Sequence, residues 1–179
     1  MTDKEKHQPP FFAQRRWFPK KEWMLTKKQK VFGFCTSNGK ILNFLVPKPW
    51  STEQWAVAVK KKLVPFLQKA FPNRRTFTIL LDGERLLHGP AAKAAMTAAG
   101  ISTLPNWPHH SPDLNPQEHV WAWAEPRLRE METTSDTFEV FQKRCLKACN
   151  QYPAADKLVA SMAKRMDMVL EKKGNMTGH

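Results

Sequence analysis

The chain has 179 residues, of which 29 are lysine or arginine and 16 are acidic, so its formal net charge at pH 7 is +13. This length accommodates one domain with a sizeable core and hardly two. The charge favours a polyanionic partner such as nucleic acid, and the alternative is a generally basic, soluble surface. Three cysteines without a C-x-x-C pair argue against a disulfide framework. No apolar run approaches the ~20 residues of a membrane span and no secretory signal is found, so we expect an intracellular protein without a membrane partner.

Residues 1–29 are polar, basic and aromatic, and we interpret them as an N-terminal arm. Lysine and arginine neutralise phosphates while interleaved aromatic rings stack on bases, so this arm is predicted to bind nucleic acid. The basic residues predicted to make those contacts are Arg15, Arg16, Lys20 and Lys21. The alternative is a surface arm whose Trp17 and Trp23 pack onto the sheet. Nuclear targeting by the same basic clusters is a further, poorly specified reading.

A β-hairpin and a long helix follow the arm. Residues 30–36 and 40–46 are apolar runs on either side of a turn that contains Asn-Gly, which is a strong hairpin signal. Ser51, with Gln54 three residues later, predicts a helix start. Pro65 is expected to kink or divide this helix. Three consecutive lysines, residues 60–62, indicate a solvated face rather than a dedicated DNA contact.

Two short strands then bracket a small helix. Residues 76–81 form an apolar, partly β-branched run that stops at an Asp-Gly pair, which predicts a buried strand delivering Asp82 to a sheet edge. A helix is predicted over residues 90–99, ended by Gly100. The next apolar run, residues 101–104, predicts the second strand. Strands and helices in this order are typical of an α/β core with an antiparallel hairpin on one side and parallel strands on the other.

A proline-rich loop leads from the second strand to a strong helix start. Asn115 is predicted to be the N-cap, Pro116 the first helical residue, and Glu118 the third, where a capping-box glutamate belongs. Pro126 is expected to bend this helix. By spacing alone, Asp-Gly after a strand indicates a turn and a glutamate at this helical position indicates a cap. The residues alone therefore favour a structural role for both acids.

Two further helices are predicted near the C-terminus. Asp136 with Glu139 is predicted to open the first, and its cysteines are expected to be core residues rather than metal ligands. That helix carries one apolar face formed by Phe138, Phe141, Cys145 and Cys149. The last helix is predicted to end at Gly174. Its apolar side comprises Leu158, Met162, Met166, Val169 and Leu170.

The loop and its helix carry a motif with a known counterpart. Residues 111–121 read SPDLNPQEHVW, which closely resembles the signature around the last acid of mariner-like transposases of the DDE/D group. Residues 82–88 read DGERLLH, a divergent form of the second-acid motif of the same family. The spacing between Asp82 and Glu118 is close to the family's spacing. Residues 158–177 also resemble the end of such transposases.

This resemblance implies an RNase H-like α/β fold and phosphoryl transfer on DNA. It implies two divalent ions, Mg²⁺ or Mn²⁺, with Asp82 as a ligand shared by both and Glu118 as a ligand of one. Asp3 is the acid placed to match the family's first catalytic residue. His110 could contact phosphate or substrate, or be an ordinary loop histidine, and the same holds for His88, His109 and His119. Trp107 is expected to pack against the sheet rather than stack on a base. Asp113 is expected to hold the loop through backbone hydrogen bonds.

The front of the chain departs from the family pattern. Too few residues precede Asp3 to form the strand that should hold it, so we expect the first strand to be truncated and the family's helix-turn-helix region to be absent. We divide the chain into the arm 1–29, a catalytic core 30–131 and a helical extension 132–179.

Two hypotheses follow from this departure. One is a mariner-like transposase catalytic domain that cuts and joins DNA in an intracellular compartment, the nucleus if the organism is eukaryotic. The alternative is a truncated or repurposed derivative that binds nucleic acid without catalysis. The partner DNA would be transposon ends or target DNA, and a homodimer would suit two transposon ends.

Overall fold

The computed structural model of the protein describes residues 14–17, 29–105, 107, 111–131 and 137–172. Asp3, Lys20, Lys21 and His110 lie outside these residues, so the predictions made for them stay predictions. Among the described residues, none of the helices is both long and apolar enough to cross a bilayer.

Three antiparallel strands form the first sheet, in the order β1, β2, β3. They are β1 (Gln14–Trp17), β2 (Gln29–Cys35) and β3 (Ile41–Leu45). The hairpin between β2 and β3 is confirmed, because the Thr36 N–H donates to the Lys40 carbonyl at 2.9 Å. Gly39 adopts the positive φ of 78° that an asparagine-glycine turn requires. Strand β1 includes Arg15 and Arg16, so part of the predicted arm belongs to the sheet.

The helix after the hairpin is divided near Pro65, as predicted. It consists of α1 (Thr52–Ala58), a π-helical turn (Val59–Leu63) and α2 (Val64–Ala70). Because Pro65 has no N–H to donate to the fourth carbonyl before it, the α-helical hydrogen-bond pattern cannot run through this point, and a wider turn precedes it. The predicted cap is confirmed, since the Ser51 hydroxyl accepts the Gln54 N–H at 3.3 Å. The lysines at 60–62 are exposed.

The second sheet is a parallel pair joined by a helical crossover. It consists of β4 (Phe77–Ile79) and β5 (Ile101–Thr103), with α3 (Pro90–Ala98) between them in the chain. Parallel neighbours require such a crossover because a tight turn cannot join them. Gly100 has φ 68°, and a Cβ there would meet the Arg75 carbonyl oxygen at 2.5 Å, so this helix end needs glycine.

Helix α4 (Pro116–Met131) runs through Pro126 without being divided. Helix α5 (Phe138–Asn150) begins one residue later than predicted, because Thr137 rather than Asp136 is its N-cap and accepts the Val140 N–H at 3.3 Å. Both α5 cysteines are fully buried in the same core as the sheet residues, as predicted. Because α5 packs against β3 and α4, its buried residues belong to the same core as the sheet residues.

The single last helix predicted from the sequence is wrong. The chain forms two helices, α6 (Ala155–Ala160) and α7 (Met162–Glu171). Leu158 and Met162 are buried, but Leu170 is 76% exposed, so the predicted apolar side is only partly used. Periodicity alone did not show this break, because Ser161 leaves the helical spacing of the apolar residues intact.

Candidate active site

A cavity of about 280 Å³ lies between the two sheets, and both acids of the motifs, Asp82 and Glu118, line it. It is lined by every residue from Phe32 to Ser37 and by every residue from Phe77 to Asp82. Successive side chains of a strand point to opposite faces, so a run of consecutive lining residues indicates that the cavity lies along a strand edge. The cavity therefore lies between β4 and the part of β2 that extends beyond its pairing with β1, and the first turn of α4 borders it.

Asp82 comes after β4, but the strand ends at Ile79, two residues before the end of the predicted run 76–81. The Oδ1 of Asp82 accepts the Gly83 N–H at 2.6 Å, and the chain bends at Gly83. The Asp82 backbone carbonyl also lies 2.7 Å from Nε2 of His88, a residue of the 3-10 turn Arg85–His88. His88 therefore fixes the backbone that carries Asp82, a positioning role that the sequence could not distinguish from substrate contact.

Glu118 is held at the start of α4. The Asn115 Oδ1 accepts the Gln117 N–H at 3.0 Å, which confirms Asn115 as the N-cap. A short 3-10 turn, Pro112–Leu114, leads into it and buries Leu114. Glu118 is the third residue of the helix, where the positive end of the helix dipole favours an ionised carboxylate. Local sequence thus fixes the position of this side chain.

A buried polar network next to Glu118 ties α4 to the sheet, and sequence reasoning missed it. The Gln117 amide donates to Asn43 Oδ1 at 3.0 Å, and its Oε1 accepts from the Cys35 thiol at 3.3 Å. Asn43 in turn donates to Asn150 Oδ1 at 2.9 Å, at the end of α5. Gln117 is only 4% exposed and Asn43 only 7%, so these hydrogen bonds are made away from bulk water.

Gly33 makes room for this network. A Cβ on Gly33 would lie 2.3 Å from Gln117 Nε2 and 2.4 Å from Asn43 Oδ1. Both amide groups therefore approach the β2 backbone so closely that only glycine fits at position 33. The residue next to Glu118 is thus anchored to the centre of the first sheet. No short-range sequence pattern signals such a contact, because its members lie on four different elements.

Cys35 lines the cavity, and burial raises the pKa of its thiol to about 12 from an ordinary value of 9.0. We therefore expect iodoacetamide at pH 8 to alkylate Cys35 far more slowly in the folded chain than in the denatured chain, as measured by intact mass. A Cys35→Ser variant assigns the modified site. Equal labelling rates in the two states would contradict the protonated, buried thiol.

The raised pKa of Cys35 also has a consequence for stability. The folded chain holds the thiol proton of Cys35 more tightly than the unfolded chain does. The contribution of this pKa difference to the free energy of unfolding is therefore present in full below pH 9, and it is lost as the pH rises from about 9 to about 12.

His119, also in the transposase-like motif, faces a buried arginine from the last helix. Its Nε2 lies 2.6 Å from Nη1 of Arg165, which is 7% exposed. Because a guanidinium can only donate, His119 accepts through a neutral ring whose proton lies on Nδ1. This contact explains how α7 is attached to the start of α4, and it gives His119 a structural role.

The donor chemistry at the cavity fits a hard divalent cation in part. Asp82 and Glu118 offer carboxylate oxygens, the ligands preferred by Mg²⁺ and Mn²⁺. Within the part of the chain that the structure describes, no group of three or more histidine, cysteine, aspartate or glutamate residues could hold a metal ion. Trp107 also lines this cavity. The structure thus brings together two of the three predicted acids, and Asp3 lies outside the described residues.

Comparison with known proteins identifies the family. The family described as DDE superfamily endonuclease matches residues 14–141. The chain belongs to this family. The transposases of the elements Tcb1 and Tcb2 from Caenorhabditis briggsae are 32% and 31% identical to this DDE-family chain over 74 and 71 residues, or 41% and 40% of its length. The matched segments span only 27% and 26% of those two proteins.

Solved structures show the same fold. The catalytic domain of Mos1 transposase, in a structure with raltegravir and Mn, matches with a TM-score of 0.71 at 15% identity, over 90% of this chain and 80% of that one. A Mos1 paired-end complex with the left transposon end matches with a TM-score of 0.67 at 16% identity, over 99% of this chain and 51% of that one. A further Mos1 catalytic-domain structure, with Mg, has a TM-score of 0.68 at 14% identity, over 90% of this chain and 82% of that one. These matches confirm the predicted RNase H-like α/β fold and the likeness to mariner-like transposases.

Proposed function

We propose that this DDE-family chain cleaves and joins DNA strands as the catalytic domain of a mariner-like transposase. The observation that carries the proposal is the convergence of Asp82 and Glu118 on one cavity, although they lie on different elements far apart in the sequence. Two carboxylates at a cavity suit phosphoryl transfer, where hard cations bind and charge is neutralised.

The cofactor we propose is Mg²⁺ or Mn²⁺, as two ions. Asp82 would contact both ions and Glu118 one of them, with Asp3 as the third acid. When bound, such ions activate a water or 3′-hydroxyl and stabilise the leaving oxygen during in-line displacement at a phosphodiester. The chain contributes the placement of the ligands: the Gly83 N–H holds one oxygen of Asp82, and the anchored first turn of α4 holds Glu118.

The proposed partner is DNA, as transposon ends or target DNA, in keeping with the net charge of +13. Basic residues of the N-terminal region are proposed to contact it, together with the loop histidine. These residues are Arg15, Arg16, Lys20, Lys21 and His110. A homodimer would hold two DNA ends at once, and a transposase in a eukaryote would act in the nucleus.

The test is cleavage of supercoiled plasmid by the purified chain in Mg²⁺, in Mn²⁺ and in EDTA. We expect nicked and linear products with either metal and none in EDTA. A chain that does not cleave under any of these conditions contradicts catalysis by this protein. The second candidate function, nucleic-acid binding by a repurposed derivative, is supported by the net charge of +13. It predicts binding that falls steeply as salt rises, without cleavage.

A further inference from the structure

Arg74 is the one cation among the described residues that line the cavity containing Asp82 and Glu118. It lies in the turn between α2 and β4, so it precedes the strand that Asp82 follows. From Phe77 to Asp82 an extended chain spans at most about 17 Å. Arg74 and Asp82 therefore border the same cavity from opposite ends of β4.

The local structure holds Arg74 in this place. The Arg74 N–H donates to the Phe71 carbonyl at 3.0 Å, which closes the turn after α2. Its guanidinium lies 5.5 Å from the centroid of the Phe71 ring, within the range of a cation–π contact. Phe71 packs in turn on Phe77, the first residue of β4, at 6.2 Å between ring centroids. An exposed arginine side chain supported in this way loses less freedom when it binds a ligand.

The charges around the cavity indicate what Arg74 binds. Asp82 and Glu118 repel a DNA phosphate unless cations neutralise them, and Asp82 lies beyond the end of β4 that is away from Arg74. The planar guanidinium of arginine is well suited to bind a phosphate through two parallel hydrogen bonds. Phosphates follow each other every ~3.4 Å of helix axis along one DNA strand, so a strand that lies along the cavity would place phosphates beside both Asp82 and Arg74.

We propose that Arg74 binds a backbone phosphate that flanks the scissile position and so directs the DNA strand along the cavity. The inference rests on the proposed function, since it assumes that the scissile phosphate is bound near Asp82 and Glu118. Arg74 is a positioning residue in this proposal, because it contacts a phosphate that does not react. Its loss is therefore expected to weaken substrate binding more than the chemical step.

The experiment compares Arg74→Gln with Arg75→Gln, a matched variant at the neighbouring exposed arginine, which does not line the cavity. Binding to a short fluorescent duplex is measured by anisotropy over a range of salt concentrations. We expect Arg74→Gln to weaken binding about tenfold and to reduce the salt slope by about one. The Arg75→Gln variant is expected to change binding little. Arg74→Lys, which keeps the charge and loses the planar fork, should fall between Arg74→Gln and the unaltered chain.

Cleavage of supercoiled plasmid provides the second readout. We expect Arg74→Gln to raise KM for DNA with kcat nearly unchanged. Equal losses of binding in Arg74→Gln and Arg75→Gln overturn the proposal, because they indicate a diffuse basic surface. A fall in kcat without a change in KM overturns it as well. If the unaltered chain binds DNA without cleaving it, the proposed function fails, and the binding comparison still decides the role of Arg74.

Discussion

Glu118→Gln is expected to reduce metal-dependent plasmid cleavage by about 100-fold or more. The substitution keeps the size of the side chain and its place in the first turn of α4, but it removes the negative charge that a hard divalent cation requires. A loss of that size corresponds to several kcal/mol of transition-state stabilisation. Asp82→Asn is expected to act in the same way. The measurement is the initial rate of conversion of supercoiled to nicked plasmid in saturating Mg²⁺ and Mn²⁺.

Glu125→Gln is the matched control on the same helix. Glu125 pairs with Arg129 at 3.2 Å on the outer side of α4 and does not line the cavity. An exposed pair of this kind contributes little to stability, so this variant should cleave like the unaltered chain. Retention of full cleavage by Glu118→Gln would show that Glu118 only caps its helix, the structural role that its spacing also permits.

Gly33→Ala is expected to lower the free energy of unfolding by about 3 kcal/mol. The added methyl group would lie within 2.5 Å of the Gln117 and Asn43 amides, whose buried hydrogen bonds must rearrange to admit it. Either the hydrogen bonds among them break or the first turn of α4 shifts away from β2. Because Glu118 directly follows Gln117, cleavage should fall as well. Urea denaturation monitored by tryptophan fluorescence measures the first effect.

Ser37→Ala provides the comparison for this substitution. Ser37 is exposed in the hairpin turn and lines the same cavity, so its replacement should change the free energy of unfolding by less than about 0.5 kcal/mol. If Gly33→Ala matches the unaltered chain in both urea midpoint and cleavage rate, then the amide network does not position Glu118.

Local signals in the sequence were sufficient for much of the fold. The asparagine-glycine turn, the Ser51 cap, the Gly100 helix end and the Asn115 N-cap each depend on residues within four positions of one another, and the structure confirms each. The strand before Asp82 and the start of α4 could therefore be placed from sequence alone.

Contacts between distant elements could not be predicted in this way. The hydrogen bonds of the Gln117 network connect residues that are separated by 74, 82 and 107 positions in the sequence. The residues of the His119–Arg165 contact are separated by 46 positions. Nothing in a sequence window reports such pairs. Local boundaries were also missed in two places, at the break between α6 and α7 and at the cap of α5. The reason is that neighbouring polar residues can each end or begin a helix, so the sequence does not decide between them.

The parallel pairing of β4 with β5 has a consequence for the order of folding. The β2–β3 hairpin forms from neighbouring residues, but β4 can pair with β5 only after α3 has crossed between them, and Glu118 comes later still in the chain. Non-local pairings of this kind form slowly. During synthesis, a nascent chain therefore presents Asp82 well before its partner carboxylate has left the ribosome. A polypeptide released before α4 carries one acid of the pair, and it cannot assemble the cavity at which both meet.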